Sequence, residues 1–169
     1  MGLFSSKAGA PPPPPPPGPR QTTARPQAPL PPAVAPSGPP GAFLVELLIY
    51  NGAPFKDHWS YWVRSHQDPD LGVLIHAAGD VRNGFQFKIK RDHDFRATGN
   101  LPTKRIPLHA HKVKVPEKTL RAVGDKVTSA PSRLTQRNCQ TWIVESADQL
   151  VRDRIFGGEV AAYVHSIKQ

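Results

Sequence analysis

The stretch NCQTWIVESADQLVRDRI, residues 138–155, decides how the rest of this 169-residue chain is read. Cys139, Trp142, Ile143, Ala147, Leu150 and Val151 recur at helical spacing, so a helix is predicted from about Asn138 to Ile155, stopped by Gly157-Gly158. A last helix is predicted from Glu159 to about Ile167. Upstream the pattern changes. Phe43 to Tyr50 is rich in Leu, Ile and Val and closes on Asn51-Gly52, as a buried strand ending in a turn would. His58 to Arg64 and Gly72 to Ala77 read as two further strands. Asn83-Gly84 marks a tight hairpin, beyond which Phe85, Phe87 and Ile89 alternate with Gln86, Lys88 and Lys90. Ile106 to Val115 is a candidate strand, with Pro107 and Pro116 favouring a sheet edge. Pro116 to Val123 reads as a short helix before Gly124, and Ala130 to Leu134 as a loop. Strands first and helices last predict an α+β domain, an antiparallel sheet packed against a late helix that carries the cysteine at its N-terminus.

The domain is predicted to span residues 42–169. Fifteen of the 21 prolines lie before Gly41, and Pro11 to Pro17 run without interruption, so residues 1–41 read as a disordered tail of polyproline II character. Such a segment serves as a spacer or as a ligand for the aromatic grooves of SH3, WW or profilin-type partners. Met1-Gly2-Leu3-Phe4-Ser5-Ser6-Lys7 fits the acceptor pattern for N-myristoylation, with Gly2 as the lipidated residue. One myristoyl chain gives marginal membrane attachment, so the expected location is cytoplasmic with peripheral membrane contact through Gly2. A single cysteine makes no internal disulfide, and no run of apolar residues reaches membrane-span length. The net charge of +9 divides into +3 in the acid-free tail and +6 in the domain, where basic residues are dispersed.

Cys139 at a helix start lies where free backbone amides and the helix dipole favour a thiolate. His58-Trp59-Ser60-Tyr61-Trp62-Val63 on one strand, Leu74-Ile75-His76 on the next, and Asn138-Cys139-Gln140-Thr141-Trp142 opening the late helix resemble the lecithin:retinol acyltransferase-like group. That group belongs to the circularly permuted, papain-like branch of NlpC-type thiol enzymes. The resemblance implies a nucleophile at Cys139, a base at His58 and an orienting residue at His76. It further implies a thiol hydrolase or acyltransferase that forms an acyl-enzyme on a lipid ester, thioester, peptide or isopeptide carbonyl, with no cofactor. A catalytically silent relative, in which the fold is an interaction module and the proline tail recruits partners, is the competing expectation.

Other clusters have simpler explanations. Asp92-His93-Asp94 fits a polar hairpin end better than a metal or acid–base site. His109-Ala110-His111 would put two imidazoles on one strand face, but no third zinc ligand is evident. Lys88-Ile89-Lys90-Arg91, Lys104-Arg105 and Lys112-Val113-Lys114 lie near Phe85, Phe87 and Phe95 in a manner that nucleic-acid-binding sheets use, yet they read as solvated strand faces. His66 and His165 carry no functional signal.

Overall fold

The computed structural model describes residues 27–38, 41–80, 83–111 and 138–169. Five strands form one sheet: β1 (Phe43–Tyr50), β2 (His58–Ser65), β3 (Leu71–Asp80), β4 (Gly84–Asp94) and β5 (Lys104–His111). Their order across the sheet is β4-β3-β2-β1-β5, and every neighbouring pair is antiparallel. A short 3-10 turn, Phe95–Ala97, follows β4, and two helices close the chain, α1 (Cys139–Arg152) and α2 (Gly158–Ile167). The α+β expectation holds, and β5 occupies a sheet edge as its proline suggested. Gly2, the Pro11 to Pro17 run, the helix read at Pro116 to Val123, the loop at Ala130 to Leu134 and the end of the fifth strand lie outside the described residues. Residues 27–38 take up no regular secondary structure.

Strand alternation sorts side chains onto two faces, because successive residues point to opposite sides of the pleat. Val45, Leu47 and Ile49 of β1, Trp59, Tyr61 and Val63 of β2, and Ile75 and Ala77 of β3 share a core with Trp142, Ile143, Ala147 and Leu150 of α1 and Val160 and Val164 of α2. Leu47, Trp142, Ile143 and Leu150 are wholly buried there. Tyr61 also ties α1 to β2 through its hydroxyl, which donates to the Ile143 carbonyl at 3.0 Å and lies 2.9 Å from Ser146 Oγ. Phe85, Phe87 and Ile89 pack against this same core.

The predicted C-terminus of the long helix is corrected. α1 ends at Arg152, with Arg154 in the left-handed region at φ 59°. The Ile155 amide donates to the Leu150 carbonyl at 2.9 Å and the Arg154 amide to the Val151 carbonyl at 3.0 Å, the paired bonds of a Schellman ending. Gly157, read as part of the stop, instead caps the start of α2.

The opposite face carries a smaller cluster of Leu48, Trp62, Leu74 and Phe95, with Tyr50 packed against it. Beside it lies Glu46, 4% exposed, which accepts from Arg64 Nε at 3.2 Å and from Arg105 Nη2 at 2.8 Å. Arg105 also donates to the Pro69 carbonyl at 2.6 Å and sits over the Phe95 ring. One carboxylate thus satisfies two guanidinium groups across β1, β2 and β5. Removing it takes the carboxylate partner from partly buried Arg64 and leaves Arg105 with Asp70 Oδ1 at 3.5 Å, whereas removing Arg64 leaves Glu46 matched with Arg105. Glu46→Ala is expected to cost about 3 kcal/mol in urea denaturation and Arg64→Ala about 1 kcal/mol.

Candidate active site

Asn138 sets the position of the cysteine. Its Oδ1 accepts from the Thr141 amide at 3.0 Å, and Thr141 Oγ1 accepts from the Asn138 amide at 3.4 Å, forming a reciprocal capping box. Cys139 is therefore the first residue of α1, where amides have no partner inside the helix. The backbone amides of Trp59, Gln140 and Cys139 itself are directed at the sulfur and favour a thiolate, but burial outweighs them and pushes the thiol above its ordinary range. The amides act in the direction expected of a helix start, and burial is the larger effect. At rest the group is a thiol, 6% exposed, with Sγ 3.9 Å from the Asp57 carbonyl to which it donates.

The sulfur sits where the sheet opens. β2 pairs with β1 all the way from His58 to Ser65, but with β3 only from Tyr61 to Arg64. Before Tyr61, no strand among the described residues pairs with the edge of β2 facing β3. In an extended chain the carbonyl of residue 57 and the amide of residue 59 point to the same edge. The Cys139 sulfur engages both, and so takes the place that a neighbouring strand would otherwise fill.

His58 and His76 meet across the same opening. His58 Nε2 and His76 Nδ1 are 3.0 Å apart, with the rings edge to face. Both side chains belong to the face opposite the helices: His58 pairs with Tyr50, their rings 5.9 Å apart, and His76 alternates with the core residues Ile75 and Ala77. His58 and Cys139 nevertheless line one cleft of about 1050 Å³, walled by the Gly52–Asp57 loop on one side and by Gly79, Asp80 and Phe85 on the other. Of the three residues singled out by sequence, the structure bonds His58 to His76, while Cys139 shares only the cleft lining with His58 and its thiol is bonded to backbone rather than to an imidazole.

Burial lowers the His58 pKa. His76 falls to about 4, through burial first and then the positive surroundings of His58, Lys90, Lys88 and His93. Both rings are neutral at pH 7, so one must donate to the other. If His58 is to accept a proton on Nδ1, it carries its own on Nε2 and gives that hydrogen bond to His76 Nδ1. A cationic His76 could not accept that bond, so its low pKa preserves the orienting contact.

Sequence reasoning missed Asp57 and Gln140. Gln140 is 0% exposed and donates from Nε2 to the Asp57 carbonyl at 2.9 Å, beside the thiol on the same acceptor. A polar residue on the buried side of a helix start was the available signal for Gln140; nothing in the sequence marked Asp57.

The remaining clusters stay outside the site. Asp94 caps the 3-10 turn, accepting from the Arg96 amide at 2.9 Å, and His93 packs edge-on against Trp62 and Phe95. This cluster closes the end of β4 and is not the tip of its hairpin. Among the described residues no group of three or more His, Cys, Asp or Glu could hold a metal ion. The His109 ring packs on Phe156, and His165 pairs with Asp148 at 2.9 Å. Lys88 and Lys90 point away from Phe85 and Phe87, which turn inward to the core. No helix among the described residues is long and apolar enough to cross a membrane.

Fold and site together define an α+β protein with a buried thiol at a capped helix start that shares a cleft with His58, one of a histidine pair on a parted sheet. A family model for a family of unknown function, DUF6540, matches residues 45–157, and the chain belongs to that family. The match contains all five strands but for the first residues of β1, together with Cys139 and the whole of α1. No curated protein and no solved structure matches the chain.

His76 binds a proton less readily folded than unfolded, where its ordinary pKa is 6.5. Its contribution to stability is therefore complete above about pH 6.5 and is lost as pH falls towards 4. Allowing for partial exposure, urea denaturation is expected to show a loss of about 1–2 kcal/mol over that interval, with a flatter pH dependence in His76→Gln.

Proposed function

We propose that this protein is a cysteine-dependent acyl hydrolase or acyltransferase of permuted papain-like architecture. The observation that carries the proposal is the shared cleft, lined both by Cys139 at a capped helix start and by His58, itself bonded to His76. The similarity of the His58-Trp59, His76 and Asn138-Cys139 blocks to the lecithin:retinol acyltransferase-like group points the same way.

In this scheme Cys139 leaves the Asp57 carbonyl by rotation about its Cα–Cβ bond, and His58 Nδ1 takes the thiol proton. The sulfur bonds to the carbonyl carbon of a lipid ester, thioester, peptide or isopeptide, and the carbonyl π-electron pair moves onto oxygen. The Cys139 backbone amide is one donor to that oxyanion. Collapse of the tetrahedral adduct breaks the bond to the leaving group, which receives the proton from His58, and an acyl-enzyme remains. Water completes hydrolysis, and an alcohol or amine completes transfer. Apo geometry in which nucleophile and base are not yet hydrogen-bonded is common for such pairs. Gly2, if acylated, and the proline tail would place this domain at the cytoplasmic surface of a membrane or beside an SH3, WW or profilin-type partner.

A second reading has an observation in its favour. Burial holds the thiol protonated and bonded to backbone, as expected of a silent relative that works as an interaction module. The rate of Cys139 labelling by iodoacetamide at pH 7 separates the two. The enzyme reading expects labelling to vanish in Cys139→Ala, to slow about 100-fold in His58→Ala and about 10-fold in His76→Ala. Equal rates in the native chain and His58→Ala would leave the interaction module.

A further inference from the structure

Gln169 reaches the cleft and is held there by five hydrogen bonds. Its amide donates to Gln140 Oε1 at 2.9 Å, and its main-chain oxygen accepts from Lys56 Nζ at 2.6 Å. Its side-chain Oε1 accepts from the Asp57 amide at 2.9 Å and from Gln140 Nε2 at 3.2 Å. Its Nε2 donates to Asp57 Oδ2 at 3.1 Å. Main chain and side chain of one residue are thus read completely, by partners that are themselves fixed. Gln140 is 0% exposed, and Asp57 Oδ1 is held by the Gly52 amide at 3.1 Å.

We infer that Lys56, Asp57 and Gln140 form a glutamine-reading subsite beside Cys139, filled in cis by Gln169 and able to take a glutamine residue of a peptide. The donor and acceptor pattern selects the carboxamide. Its oxygen meets two N–H donors and its nitrogen meets a carboxylate, so a glutamate side chain would set an anionic oxygen against Asp57 Oδ2. Asparagine, one methylene shorter, could not keep the main-chain and side-chain bonds together. The position matters because Asp57 also accepts from the Cys139 thiol. A peptide seated here lies next to the nucleophile.

Use of the subsite in catalysis rests on the acyl chemistry proposed above; binding does not. The test is fluorescence polarisation with two labelled peptides, Ser-Ile-Lys-Gln and Ser-Ile-Lys-Glu, added to the native chain and to Gln169→Gly, which vacates the side-chain part of the clasp and leaves only two main-chain bonds for a peptide to displace. Gln169→Gly is expected to bind the glutamine peptide at least about tenfold more tightly than the glutamate peptide. The native chain, its clasp already filled, should bind the glutamine peptide at least about tenfold more weakly than Gln169→Gly does. Adding Asp57→Asn to Gln169→Gly should bring the two peptides close to equal affinity, and adding Cys139→Ala instead should leave the preference intact. Binding of neither peptide, or equal binding of both, by Gln169→Gly overturns the subsite whatever the labelling of Cys139 shows. A retained preference with an unreactive Cys139 removes only the enzyme reading.

Discussion

The Asp57 carbonyl joins the two halves of this molecule. It accepts from the Cys139 thiol and from the Gln140 carboxamide, so the first turn of α1 is fastened to the first residues of β2 at one main-chain oxygen. A helix start leaves amides unpaired and a parted strand leaves edge groups unpaired, and burying either alone is costly. Docked together, the Cys139 and Gln140 side chains donate to the Asp57 carbonyl, and the Cys139 sulfur receives amides from both the helix start and Trp59. The capping box of Asn138 and Thr141 fixes which residue occupies the first helical position, and the packing of Trp142 and Ile143 on Tyr61 fixes how deep it lies. The placement of the sulfur follows from these constraints.

The two faces of the sheet divide the remaining work. The helix-covered face supplies most of the buried apolar surface and holds α1 rigidly against β2 and β3. The other face is a mixed surface in which Glu46 neutralises Arg64 and Arg105, while burial first, and then His58, Lys90, Lys88 and His93, keep His76 free of a proton. The histidine pair belongs to this second face and the thiol comes from the first. Cys139 and His58 border one cleft, near which β2 and β3 separate before Tyr61.

Much of the architecture is legible in the chain. The run Phe43–Tyr50 with its Asn51-Gly52 end, the alternation around Phe85 and Phe87, and the helical spacing after Asn138 each record a local periodicity, and local periodicity survives without tertiary knowledge. The histidine pair and the cysteine were legible as a pattern of residue types. The end of α1 was not, because Arg154 adopts a left-handed conformation that its identity does not advertise, and the glycines downstream looked like the better stop. Gln140, marked only as a polar residue on the buried side of a helix start, clasps Asp57, and Thr141 completes the helix cap.

By itself, then, the order of residues determined which segments become strands and helices, where apolar faces lie, and which side chains are chemically able to act, since these depend on spacing of a few residues. The tertiary structure alone decided that the thiol is buried and protonated, that it bonds to Asp57, and that Gln169 returns to the same place. Those are contacts between residues 82, 83 and 112 positions apart. Their geometry and local dielectric exist only once the sheet and helix have packed, because no short-range periodicity encodes a distance through space.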